Sequence, residues 1–368
     1  MNNTWRTVKL GEVCSFNKTI MDPLPNCEYR YYSFPAFDND KHAEIVSGDE
    51  IKSSKFLIES GDILYNKLNV KFKRVWNIDF EVDNNSICST EFIPIQASKI
   101  DRDFLYYFLI SPTFTNAMVS VSTGSSNSHQ RVDIDYIKNY EMLIPSDLEI
   151  QKRIADILKT IDNKIEICKS IIVNLEKQAQ EIFKFTQTNN SDNIIKLGDI
   201  CSFKKGKKPT ATSNIKEEGF LYYLTIDVLS GQDKVYAHPK NIVEVNEFDL
   251  LMVMDGASSG RLFYGKSGAL GSTLSKIEIK KEYEELIFQF LKYYEPYISR
   301  YTVGSDVPHT NKDLIFNFKV NIPNNLEEIS QILYKIRENI INNKKQIEDL
   351  INLKEMMLPK LIYGEIDI

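Results

Sequence analysis

Apolar residues along positions 148–183 fall at Ile154, Leu158, Ile161, Ile165, Cys168, Ile172, Leu175, Ala179 and Ile182. The steps alternate between four and three without a slip, the seam of a heptad helix that packs on a partner helix. The same alternation returns near the end of the chain at Ile329, Leu333, Ile336, Ile340, Asn343, Ile347, Leu350, Lys354, Met357 and Leu361. Each run predicts a helix of roughly 35 residues, about 50 Å long. Neither can bury its seam alone, so the two are expected to pack on each other, antiparallel. Asn343 and Lys354 stand on the second seam, where polar side chains lower stability and fix register. The alternative is two unrelated amphipathic helices lying on separate cores.

A repeat argues for the pairing. VKLGEVCSF at 8–16 returns as IKLGDICSF at 195–203, nine residues matched in character at a lag of 187. SGDILY at 60–65 and EFDLLM at 247–252 keep that lag, each an acid in a turn, then a buried strand, then a polar loop. GSSNSH at 124–129 corresponds to GSDVPH at 304–309, which makes His129 and His309 counterparts. Ile144-Pro145 and Ile322-Pro323 close these segments. Leu148-Glu149 and Leu326-Glu327 then open the helices, with Ser146 or Asp147 as the first N-cap. Helical candidates at 104–116 and 283–294 follow short β-rich runs, and polar 186–193 reads as a linker. The predicted fold class is α+β: two tandem mixed α/β domains separated by two long helices that form an antiparallel coiled coil, a pseudo-two-fold internal repeat. The expected boundaries are 1–145 and 189–323 for the globules, 146–188 for the central helix and linker, and 324–368 for the terminal helix.

Composition narrows the partners. With 368 residues, 42% hydrophobic and 26% charged, the chain holds at least two domains. No apolar run reaches the length of a membrane span and no signal peptide is expected. The five cysteines have no CxxC spacing and read as reduced cytoplasmic thiols, neither a disulfide frame nor a metal site. A net charge of −6 argues against binding nucleic acid through bulk charge and leaves local basic loops as the route. Lys67, Lys71, Lys73 and Arg74 form one such loop, and Lys204, Lys205, Lys207 and Lys208 flank Gly206 in another.

Catalytic chemistry is not expected. GRLFYGKS at 260–267 fits the phosphate-loop string GxxxxGKS. That loop has to follow a buried strand and open a helix, whereas Arg261 to Tyr264 is bulky and Gly268 and Gly271 would break the helix. Gly265-Lys266 is better read as a hairpin turn. No Asn-Pro-Pro-aromatic methyltransferase quartet, HExxH, GxSxG or nuclease carboxylate cluster is present. Polar loops at equivalent strand ends carry the binding candidates. Asn66, Lys67, Asn69, Lys71, Lys73 and Arg74 follow the first strand, and Asp255, Ser258, Ser259 and Arg261 follow the second. Ser125, His129, Arg131, Lys205, Lys207, Ser305, His309 and Asn311 complete the candidate DNA contacts. Asn suits adenine, Arg or Lys suits guanine, and the hydroxyls suit phosphate.

Two variable globules, each opening with Lys-Leu-Gly-acid and ending in Ile-Pro before a heptad helix, resemble a type I restriction–modification specificity subunit. The likeness is carried by 9–14 and 196–201, by 61–64 and 249–251, by GALGSTL at 268–274, and most distinctively by IPSDLEIQKRIADIL at 144–158. The second helix departs from it, since LEEISQI at 326–332 lacks the Gln-Lys-Arg-Ile turn of 151–154. The resemblance implies that each globule is a target-recognition domain reading half of a bipartite double-stranded DNA site. The helices would set the gap and dock two methyltransferase subunits. Those partners bring S-adenosylmethionine for adenine-N6 methylation, and restriction subunits bring ATP and Mg; this chain would bind no cofactor. The competing expectations are the specificity partner of a type IIB-like methyltransferase–nuclease, and a coiled-coil scaffold that binds protein.

Overall fold

The heptad runs form two long helices, Leu148–Thr188 and Leu326–Ile362, in a computed structural model that describes residues 4–17, 19–39, 41–124, 130–188, 193–304 and 307–366. The chain divides into two units, one from Met1–Lys164 with Leu350–Ile368 and one from Ile165–Asp349. Each unit therefore takes one end of both long helices. In the first, Lys354 Nζ donates to Asp162 at 2.6 and 2.7 Å, and Tyr107 Oη donates to the same carboxylate at 2.8 Å. In the second, Cys168 Sγ meets Gln346 Oε1 at 3.2 Å, while Ala179 packs with Ile329 and Leu333. Later residues of the central helix meet earlier residues of the terminal one, so the pairing is antiparallel. Seam positions Ile154, Leu158, Ile161, Ile165, Cys168, Ala179, Leu333, Ile340 and Leu361 are buried.

Three details differ from expectation. Lys354 reaches across to the other helix, but the Asn343 amide donates to the Asn339 carbonyl on its own helix and fixes no register. Thr186–Thr188 belong to the central helix, with Thr186 buried, so helix replaces the first part of the expected linker. The candidate helix at 104–116 is two helices, Arg102–Leu109 and Pro112–Val121. Pro112 has no N–H to continue the ladder, and Ser111 Oγ caps the new start from Phe114 N. The second-unit counterpart runs longer than predicted, as Glu284–Arg300. Asp147 is the N-cap of the central helix, accepting from Glu149 N at 2.9 Å.

Both units share one plan. A two-stranded sheet pairs Trp5–Lys9 with Glu141–Pro145, and Ile194–Lys196 with Lys319–Asn321. A four-stranded antiparallel sheet follows, in the order Cys14–Phe16, Phe92–Ala97, Ile63–Asn66, Val75–Asn77. Its counterpart is Cys201–Lys205, Leu274–Ile279, Leu250–Val253, Leu262–Phe263. The five-stranded sheets are mixed and carry their fifth strand at opposite edges. The two-residue strand Ile20–Met21 pairs with Lys55–Leu57, whereas Thr212–Ser213 pairs with Tyr236–Ala237 on the opposite side of its sheet.

Each core joins the four-stranded sheet to helices. The first holds Leu10, Ile63, Ile95, Phe104, Phe108 and Phe114 with Ile154, Leu158, Leu358, Leu361 and Ile362. The terminal helix ends at Ile362, two residues before Gly364, whose φ of 72° and close approach to the Trp5 ring exclude a side chain. The second core holds Leu197, Leu250, Met252, Leu286, Phe290 and Phe183. The 260–267 segment is no phosphate loop. Leu262–Phe263 and Gly268–Leu270 lie in different sheets, joined at Gly265 (φ 90°), so the segment is a sheet-to-sheet turn and not the expected hairpin. Lys266 sits over the Tyr222 ring and pairs with Glu348 at 3.3 Å.

Candidate nucleic-acid interface

The polar loops after Ile63–Asn66 and Leu250–Val253 are built on the same hydrogen-bond frame. In the first unit Asn66 N donates to Arg74 O, Lys67 N to Glu91 O, Asn69 N to Gln130 O and Val132 N to Lys67 O. In the second, Val253 N donates to Arg261 O, Met254 N to Thr273 O, Gly256 N to Pro308 O and Thr310 N to Met254 O. Two positions in each loop are left-handed. Asn69 (φ 54°) and Lys73 (φ 49°) fill them in one unit, Gly256 (φ 103°) and Gly260 (φ 89°) in the other. Asn tolerates that region better than most residues, and Gly occupies it without steric cost.

This frame brings each strand-end loop against a later loop that the sequence had left separate. Isolated bridges pair Leu68 with Arg131 and Thr123 with Arg131; their counterparts pair Asp255 with His309 and Val303 with His309. The structural counterpart of His309 is thus Arg131, not His129. The first loop is two residues longer between its bridging pair, a difference that the GSSNSH and GSDVPH strings conceal.

The candidate residues divide by what they touch. Asn66 is buried, and its amide donates to Leu68 O at 3.0 Å and Asn69 O at 3.3 Å, so it builds the loop instead of facing a ligand. Ser259 is likewise buried, its hydroxyl donating to Gly256 O at 2.7 Å and Pro308 O at 2.9 Å, which ties the second pair of loops together. Asn311 caps the helix Lys312–Phe316 by accepting from Leu314 N at 3.0 Å. Arg74 is held by Asp38 at 2.6 and 2.8 Å, with the Phe34 and Phe72 rings within 5 Å. These four serve the fold. Ser125, His129 and Ser305 lie outside the described residues.

The rest differ in exposure. Lys71 and Lys73 are exposed, Lys67 and Asn69 half-buried. Lys67 and Arg131 line a cavity of about 370 Å³ with Thr123 and Asp133. Arg131 is paired with Glu91, through Nε at 3.2 Å and Nη2 at 2.5 Å. In the second unit Lys205, Lys207 and Arg261 are exposed, Ser258 is half-buried, and Arg261 lies over the Phe263 ring. Asp255 accepts from Lys205 Nζ at 3.1 Å and meets His309 Nδ1 at 2.8 Å. Burial disfavours the Asp255 carboxylate, but the hydrogen bonds to His309 and Lys205, with the Lys205 charge, outweigh it and hold the group below its ordinary range. Sequence reasoning missed Glu91, which stands outside every recognisable string and matters only because the fold carries it to Arg131. Among the described residues no group of three or more His, Cys, Asp or Glu could hold a metal ion.

The arrangement is a pair of basic loop ends in each unit, on a chain whose overall charge is −6. Residues 2–177 and 191–353 match the type I restriction modification DNA specificity domain family. The chain belongs to this family. Each matched span of the specificity domain covers one globule and most of the long helix that follows it. The chain is 34% identical over 175 residues to the type I restriction enzyme MjaVIII specificity subunit of Methanocaldococcus jannaschii, covering 46% of this chain and 41% of that protein. It is 32% identical over 185 residues to the HindI specificity subunit of Haemophilus influenzae, covering 49% of this chain and 40% of that protein. The matches therefore span about two fifths of the length of these relatives. Among solved structures, the S subunit of the type I restriction–modification system from M. genitalium has the same fold. The TM-score is 0.62 at 18% identity, over 100% of this chain and 97% of that chain.

Proposed function

We propose that this specificity-family chain is the non-catalytic DNA-recognition subunit of a type I restriction–modification complex, and that each unit reads one half of a bipartite double-stranded target. The observation that carries the reading is the duplicated loop frame: two units of one plan present basic side chains from corresponding loops. Exposed Lys71, Lys73, Lys207 and Arg261 suit phosphates, which position a protein on DNA without reading sequence. The long helices would fix the unspecified gap and dock two methyltransferase subunits, which supply S-adenosylmethionine. Restriction subunits would add ATP and Mg, and the complex would work in the cytoplasm.

The test is a methylome. The chain is co-expressed with its neighbouring methyltransferase subunit in an unmethylated host, and modified adenines are mapped by single-molecule sequencing. A bipartite motif with a fixed unspecified gap is the expected result. No new methylation from a complex shown to assemble would instead favour a scaffold whose globules bind protein.

A further inference from the structure

The bridging position shared by the two units carries Arg131 in one and His309 in the other, and a carboxylate anchors each side chain, although from non-corresponding positions: Asp255 stands where the first unit has Leu68, and Glu91 where the second has Thr273. Their side chains are 57% and 50% exposed. An exposed arginine or histidine ordinarily samples several rotamers, and a ligand must pay for ordering it. Here each is held by a carboxylate from a separate segment, Glu91 or Asp255, and Asp255 also accepts from Lys205 Nζ. Glu91 engages Arg131 through Nε and one Nη2 N–H, and the Nη1 donors lie outside that fork. The ionised Asp255 accepts the Nδ1 proton of His309, which leaves Nε2 as an acceptor in the neutral imidazole.

A carboxylate beside the reading side chain is poorly suited to phosphate binding, because it repels the phosphate and, at Arg131, also cancels the charge that attracts the backbone. It suits the reading of a base edge, where direction and donor pattern matter more than net charge. We propose that Arg131 and His309 are the specificity-determining residues of their units, each reading one base edge in the major groove, with Glu91 and Asp255 as positioning residues. Arg131 presents donors that match guanine O6 and N7. His309 presents an acceptor that matches the exocyclic amino group of adenine or cytosine. The two halves of the target then differ at this position because the two side chains differ. The inference rests on the DNA-recognition reading above and goes further by separating base contacts from backbone contacts.

The experiment uses the full chain assembled with its methyltransferase subunits, comparing wild type with Arg131→Gln, His309→Gln, Glu91→Gln and Asp255→Asn. In the methylome, Arg131→Gln should make one base pair of one half-site degenerate, with discrimination falling about 10- to 100-fold, and leave the other half intact. His309→Gln should do the same in the other half. Glu91→Gln and Asp255→Asn should weaken the same base pairs as Arg131→Gln and His309→Gln respectively. Binding of the purified complexes to duplexes substituted one base pair at a time gives the same answer without turnover. An affinity loss equal across every duplex would be a backbone contact or a damaged fold, and would overturn the proposal. So would a motif unchanged in both the Arg131 and His309 variants. A wild-type complex lacking any bipartite motif would instead remove the reading beneath it.

Discussion

Asp62 illustrates what the repeat preserves at the level of one side chain. Its Oδ2 accepts from Glu59 N at 2.7 Å, as Asp249 Oδ2 accepts from Asn246 N at 2.8 Å, so each acid closes the turn before a buried strand. Lys276 gives Asp249 a counter-charge at 2.7 Å. Asp62 is fully buried, and burial pushes its carboxyl from 3.8 up to about 6. Between those values the folded chain keeps a proton that the unfolded chain has released, so this group's contribution to stability falls as pH rises through that window. Asp62→Asn should therefore gain on wild type by about 1–3 kcal/mol between pH 4 and pH 7, measured by urea unfolding across the range. A difference that stayed flat with pH would refute the assignment. The acid in the turn was legible because turn chemistry is local. Asn66 was misread because a polar residue at a strand end resembles a surface residue until its carbonyl partners are known.

Among the elements, the long helices were the most legible, since a strict four-three spacing fits little but a helix that packs along one seam. The short strands were not, as two to six residues carry too little periodicity to set an order of pairing. The displaced edge strands Ile20–Met21 and Thr212–Ser213 show this, because their neighbours are decided by loops and not by their own composition. Arg337 was also invisible, an arginine on a long amphipathic helix that reads as solvated. It is 2% exposed, donates to Glu285 at 2.6 Å, Glu284 at 2.8 Å and Phe248 O at 3.2 Å, and stacks near Phe248 and Phe288. Arg337→Met leaves the buried Glu285 uncompensated and should cost about 3–5 kcal/mol. Adding Glu285→Gln should recover part of that loss. Equal stability of the single and double variants in urea would argue against the ion pair as the cause.

For the whole molecule, the decisive feature is that the first unit draws on both ends of the described chain. Leu358, Leu361 and Ile362 are buried in its core, and their removal should cost on the order of 5 kcal/mol or more. A chain ending at Asp349 is expected to lose protection in the first unit and keep it in the second, as read by hydrogen exchange. Loss in both units would mean that they do not fold independently. The net charge of −6 also bears on binding: the free chain should hold DNA weakly and lose it steeply with added salt. A filter-binding titration of the isolated chain between 50 and 200 mM salt, roughly the range over which phosphate-dominated affinity collapses, checks this.

The matching loop frames make the two proposed reading surfaces interchangeable parts. Residues 253–261 and 303–310 could be transplanted onto 66–74 and 123–132, because the carbonyls and amides that anchor them recur at corresponding positions. Such a chain would spell the same word twice. Its target would be fixed by duplication, and its methylation pattern would contain one half-site repeated across the unchanged gap.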